Sequence, residues 1–173
     1  LVTGPAGERG IPYACLVTGN GRNAGRGGAG AVFGRKKLKG IAVDERNYRP
    51  PESINHVKKL WLEKITKDKD LMSMKKTGTA AMLDILNSRG IMPSKYYTTG
   101  RIELSFRDFA GYRDKNTGCY GCPVSCGAID NKGRDLPEYE SCYALGALTG
   151  ITDPGLLMEM NHLCDAMGVD TIT

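Results

Sequence analysis

Cys119, Cys122 and Cys126 lie in the stretch CYGCPVSC, three thiols in eight residues at a C-x2-C-x3-C spacing. Thiolates are soft, anionic ligands that suit iron–sulfur clusters and zinc. A short loop can wrap a cuboidal cluster and present three sulfurs to its corners, with a fourth supplied from elsewhere. Pro123 stiffens the turn and removes one N–H, and Gly118, Gly121 and Gly127 allow close backbone approach. Structural zinc sites usually pair C-x2-C with a second such pair or with two His, which this sequence lacks. A thiol–disulfide motif would use Cys119 and Cys122 and leave Cys126 unexplained. Spacing favours an iron–sulfur cluster, with zinc and unrelated thiols still open.

Four more groups of residues carry possible chemistry. In GRNAGRGGAG, Arg22 and Arg26 stand among glycines whose N–H groups could cradle phosphate, although neither a Walker A loop nor a dinucleotide fingerprint can be read. LPEYES places Glu138 and Glu140 at a helix start, where carboxylates ordinarily serve the helix dipole. EMNH sets Glu159 and His162 at i, i+3 on one helix face, a spacing that suits a shared metal but more often gives an exposed ion pair. Asp165, Gly168 and Asp170 close the same helix.

The elements that must position these groups form an α+β pattern: a short β-containing segment (1–48), then a mostly helical region (49–173). The runs YACLV and GIAVD read as strands on either side of the glycine tract. Pro50 and Pro51 mark the boundary, and ESINHVKKLWLEKITKDKD follows as one amphipathic helix with Ile54, Val57, Trp61 and Ile65 on its apolar face. Further helices are expected over TAAMLDILNSRG, with Thr79 as cap and Gly90 as stop, over 105–115, and over 138–148. The last runs from Asp153 as cap, with Pro154 at its first position, to Met167, with Gly168 as its stop.

Composition bounds the rest. At 173 residues the chain has the length of one domain or of a piece of a larger protein, with 40% hydrophobic and 25% charged residues. No apolar run is long enough to span a bilayer. The net charge of +5 is mild and its densest cluster, GRKKLKG, reads as a solvated loop more readily than a nucleic-acid patch. Six unevenly spaced Cys without an export signal suit a reducing cytoplasm. The start at LVTGPAGERG, without an initiator Met, and the stop after AMGVDTIT lead to the expectation of a fragment.

In order along the chain, RNAGRGGAGAVFGRKKLKGIAV, CYGCPVSCG, PEYES and CDAMGVDT resemble the aldehyde:ferredoxin oxidoreductase family of tungsten or molybdenum bis-pyranopterin enzymes. The resemblance implies that Cys119, Cys122 and Cys126 bind a 4Fe-4S cluster whose fourth Cys lies downstream of this chain. It implies that Asn23, Arg26, Gly27 and Gly28 approach the pterin, and that Asp165, Gly168 and Asp170 form the first of two D-x-x-G-x-D-like pterin motifs. Glu140 matches the active-site carboxylate, and Glu159 with His162 resembles a pair that helps hold a bridging iron between subunits. The implied activity is oxidation of aldehydes to carboxylic acids, or the reverse, with electrons leaving for ferredoxin. A homodimer or larger redox complex in the cytoplasm is the implied setting, with no nucleic-acid partner and no membrane span. Phe33 and Arg35 depart from the expected pattern and point to an unusual subfamily. The competing readings are a non-catalytic iron–sulfur or zinc module, which would bind metal without pterin, and a basic nucleic-acid-binding protein.

Overall fold

The computed structural model describes residues 1–19, 22–44 and 46–173; Asn20 and Gly21, which head the glycine tract, and Glu45 lie outside the described residues. The chain is α+β, with short N-terminal strands followed by mostly helix. β1 (Val2–Thr3) pairs antiparallel with β2 (Leu16–Val17) in the register Val2↔Val17 and Thr3↔Leu16. Between them α1 (Pro5–Glu8) turns the chain, and α2 (Ala29–Arg35) follows the glycine tract. These two short helices meet through glycines: a Cβ on Gly34 would run into the Gly7 carbonyl. Backbones can approach this closely only where no side chain intervenes. The small core here is Ala6, Ala14 and Ala31, with Ile11 and Val169 packed against it.

Less of this segment is strand than the sequence pattern predicts. In YACLV only Leu16 and Val17 enter a strand, and in GIAVD only Gly40 makes a bridge, to Val2. Val43 is 77% exposed, so the alternation in GIAVD has no second layer to bury it.

The helical part contains α3 (Glu52–Lys67), α4 (Lys69–Thr77), α5 (Met82–Arg89) and α7 (Pro154–Met167), with a short α6 (Tyr139–Ser141) running on as a π-helical turn over Cys142–Ala147. The single amphipathic helix expected after the prolines is two helices. Asp68 leaves helical geometry and its carboxylate accepts from the N–H groups of Asp70 and Leu71, starting α4. No residue of α3 is buried, and Ile54, Val57 and Trp61 stay exposed. Thr79 does not cap α5; it sits in a 3-10 turn (Thr79–Ala81), and its hydroxyl accepts the N–H of Tyr139. The segment after Ser105 is a 3-10 helix (Phe106–Tyr112) held by a capping box between Ser105 and Asp108. Gly90 and Asp153 act as expected: Gly90 ends α5 in the left-handed conformation, and the Asp153 carboxylate accepts from Leu156 N–H. The main core gathers Leu83, Met92, Leu104, Phe109, Cys142, Leu157 and Met158. A hairpin of β3 (Lys115–Thr117) and β4 (Gly127–Ile129) projects from this core and carries the cysteine loop.

The end of α7 locks onto the N-terminal segment. Gly168 has φ 71 and ψ 48, and the N–H groups of Gly168 and Val169 return to the carbonyls of Asp165 and Cys164. This is a Schellman closure. The Gly168 carbonyl then accepts Cys15 N–H at 2.8 Å, Val169 bridges Ala14, and Asp170 N–H reaches the Tyr13 carbonyl. A Cβ on Gly168 would stand 2.9 Å from Gly4 Cα. Gly168→Ala should therefore destabilise the protein by more than the ~1–2 kcal/mol of a left-handed alanine alone, because Gly4 must also move. Chemical denaturation checks this; a loss below ~1 kcal/mol would contradict the described packing.

Candidate cofactor cavity and thiol loop

The lock at Gly168 brings together segments far apart in sequence. Asp165, in the last turn of α7, faces the glycine tract, and the Asn23 amide donates to its carboxylate at 2.7 Å. Asp170, two residues beyond Gly168, has a side chain only 7% exposed. It lies 3.6 Å from the mostly exposed Arg26 guanidinium and accepts from the backbone and hydroxyl of Thr173. Between these groups opens a cavity of about 560 Å³. Asn23, Arg26, Glu140, Asp165 and Asp170 all line it, so five of the residues that the resemblance assigns to cofactor or chemistry share one cavity. Gly28 supports the wall from behind: its φ is 69, and a Cβ there would strike the Pro12 carbonyl. Gly27, also at positive φ, meets nothing in this chain, and Gly168 supplies the α7 turn.

The cavity is dense in carboxylates, and this shifts its ionisable groups. Burial, with only partial relief from the Asn23 amide, holds the Asp165 pKa above the usual carboxylate range. Asp135 is raised as well, by burial and then by repulsion from Asp165. The Cys15 thiol is pushed up to about 11, first by burial and next by the Asp165 charge, and Cys164 is raised for the same reasons. Arg22 behaves differently. Burial opposes its charge, but an ion pair with Glu138 at 2.6 Å outweighs this, and Cys119 and Cys126 add to the effect.

The cysteines sit on the loop that joins β3 to β4. Thr117 pairs with Gly127 at its neck, and a Cβ on Gly118 would lie 2.7 Å from Ser125 Cα. Cys122 N–H bonds the Cys119 carbonyl, and Lys75 on α4 holds the Pro123 carbonyl at 3.1 Å. Cys119 is exposed while Cys122 and Cys126 are half-buried. Among the described residues, no group of three or more His, Cys, Asp or Glu side chains is placed to hold a metal ion. A cuboidal cluster asks for something different, thiolates at separate iron corners instead of three ligands on one ion. The donor set, three thiols on a glycine-rich loop with a tight neck, fits that demand in its chemistry.

The cavity fits a polar heterocyclic cofactor on a firmer observation. Among the described residues, Asn23 Oδ1 is a buried acceptor that meets no hydrogen-bond partner, and it costs free energy until a donor meets it. At Gly25, a Cβ would come 3.0 Å from Asp170 Oδ1, so glycine there leaves that carboxylate uncrowded.

Glu159 and His162 stand elsewhere on α7. The Glu159 carboxylate pairs with Arg134, which also bonds the buried Asp130, and His162 is exposed. Glu138 was expected to cap a helix; it occupies the N-cap position, yet its side chain makes no cap bond and turns to Arg22. Sequence reasoning also passed over Asp135 and Asn161, which line the cavity, with the Asn161 amide donating to the Asp135 carbonyl at 3.3 Å. Their only sequence signal is position, beside PEYES and inside EMNH.

Comparison with known proteins agrees along the chain. Residues 56–173 match the family model for domains 2 and 3 of aldehyde ferredoxin oxidoreductase, and residues 1–45 match the model for its N-terminal domain. Tungsten-containing aldehyde ferredoxin oxidoreductases of Thermococcus kodakarensis and Pyrococcus furiosus are 39% and 37% identical over 98% of the chain. A more distant relative, the WOR-like subunit of an aliphatic sulfonate oxidoreductase of Pyrococcus furiosus, is 26% identical over 99%. The chain spans about 30% of the length of each of these relatives. Among the described residues, no helix is long and apolar enough to cross a membrane.

The raised Asp135 pKa fixes the sign of a pH effect. A native pKa above the ordinary 3.8 means that the folded state binds the proton more tightly, so ionisation costs stability as pH rises past 3.8. Asp135→Asn should therefore stabilise the protein at pH 7, and the gain should shrink as pH falls below 3.8. Denaturant midpoints at both ends of this range test it; equal gains at both would show that charge is not the cause.

Proposed function

The chain belongs to the aldehyde ferredoxin oxidoreductase family, and from that premise we propose that it holds one side of a tungsten or molybdenum bis-pyranopterin and three ligands of a 4Fe-4S cluster. The observation that carries this reading is the cavity of about 560 Å³ where Asn23, Arg26, Asp165, Asp170 and Glu140 meet. When bound, the pterin metal supplies the two-electron interconversion of aldehyde and carboxylate, and the cluster passes those electrons singly to ferredoxin.

The residues of this chain have separable tasks. Asn23, with its unpartnered Oδ1, and the carboxylates of Asp165 and Asp170 would bind the N–H groups of the pterin. Arg26 at the rim would meet phosphate, Gly27 would let the backbone pass close to the cofactor, and Gly28 and Gly168 would hold the turns that shape the cavity wall. Glu140 lines the cavity two residues before the π-helical turn, at the start of α6. Its carboxylate would take up the proton released from water or substrate at Oε. Cys119, Cys122 and Cys126 would hold the cluster on the hairpin loop. Glu159 and His162 would contribute to an iron between subunits, for which Arg134 must release Glu159. The implied setting is a cytoplasmic homodimer or larger redox complex.

Metal analysis tests the cofactor set. The full-length polypeptide, purified without oxygen, should contain iron together with tungsten or molybdenum; zinc alone would reject the reading. Glu140→Gln should retain these metals and lose turnover by about 10²–10⁴-fold, the range of general acid–base contributions. Full activity in that variant would remove Glu140 from the mechanism.

A further inference from the structure

Arg22 is the side chain that touches both halves of the site. It leaves the glycine tract with its backbone held twice by Thr18, whose hydroxyl donates to the Arg22 carbonyl at 2.6 Å and accepts from its N–H at 3.2 Å. The guanidinium is forked between two neighbours. Nη1 is 2.6 Å from Glu138 Oε1, and Nη2 lies 2.8 Å from where a Cβ on Gly127 would stand. Gly127 directly follows Cys126 and, with Arg22 and Glu138, lines the cavity. Only glycine at 127 lets the cation lie across the base of the thiol loop. The side chains of Arg22 and Glu138 are 31% and 35% exposed, so solvent screens the pair only in part.

We propose that the Arg22–Glu138 ion pair, set between the thiol loop and the cavity, tunes the reduction potential of the cluster held by Cys119, Cys122 and Cys126. The proposal rests on the cluster reading given above. Reduction adds negative charge to an already anionic cluster, and a fixed cation beside two of its thiolates stabilises the reduced form and raises the potential. The Arg22 guanidinium lies against Gly127, the residue that follows Cys126, which sets the cation at the base of the thiol loop. Glu138 has two effects: it aims the guanidinium and it offsets part of its charge. Arginine suits the post because its rigid fork can serve Glu138 and the loop at once while staying charged, which lysine could not do in the same geometry.

The test is a redox titration of the full-length protein, purified without oxygen and followed by electron paramagnetic resonance with iron content measured in parallel. A wild-type protein without an iron–sulfur signal would overturn the cluster reading, and this proposal with it, before any variant is made. Given the signal, Arg22→Gln should shift the midpoint potential downward at unchanged iron content, and Glu138→Gln should shift it upward. If Arg22→Gln loses iron, Glu138→Gln decides alone, since it keeps the cation: an upward shift supports the proposal. Wild-type potentials in the iron-replete variants would overturn it and leave the pair a structural strut.

Discussion

The structure depends on one backbone constraint, the closure of α7 at Gly168 onto the segment Tyr13–Cys15. A helix end leaves carbonyls without partners, and the left-handed glycine satisfies two of them while turning the chain. The carbonyl of that same glycine is then spent on Cys15 N–H, and the next residues continue the pairing at Ala14 and Tyr13. Because these bonds are backbone to backbone, they fix the register between two segments about 150 residues apart without using a side chain. Asp165 and Asp170, which flank the glycine, are left free to face the cavity. A one-residue slip here would turn one of them away from the Asn23 amide or the Arg26 guanidinium.

Most of the ionisable groups that this register gathers carry the same charge. Among the described residues, Asp135, Glu138, Glu140, Asp165 and Asp170 share the cavity with two cations, Arg22 and Arg26. Burial pushes Asp165 toward the protonated form, burial and then repulsion from Asp165 do the same to Asp135, and the thiols of Cys15 and Cys164 follow. The arrangement is costly for a protein that needs only to fold, since buried like charges destabilise it. Strain of this kind, beside a buried acceptor with no partner, is characteristic of a site that is completed by something other than its own chain.

How much of this was legible in the sequence varies with the kind of signal. The bounds of α7 were fully readable because Asp153, Pro154 and Gly168 act through local backbone geometry. Asn23, Arg26, Glu140, Asp165 and Asp170 stood out in the sequence through the order of the motifs, and all five line one cavity. Strand length was not readable, since pairing depends on what lies alongside, and YACLV and GIAVD find little. Nor was the break in the helix after the prolines. Asp68 sits in KDKD like any exposed acid until its carboxylate is seen to cap α4. Glu138 was the subtler miss. A carboxylate at a helix start satisfies a local rule so well that its distant partner, Arg22, carries no local trace.

The β3–β4 hairpin joins the thiol loop directly to the cavity wall. The strand that leaves Cys126 runs straight into the cavity wall through Gly127 and Ala128. Ala128 is held by Leu136 N–H, and Ile129 bridges Asp135, so the wall continues into the segment that leads to Glu138 and Glu140. Three consecutive residues, Gly127 to Ile129, therefore link the cysteine loop to the segment that carries the carboxylates of the cavity. In the proposed function the cluster loop and Glu140 would then share one hydrogen-bonded frame, with Arg22 lying across its junction.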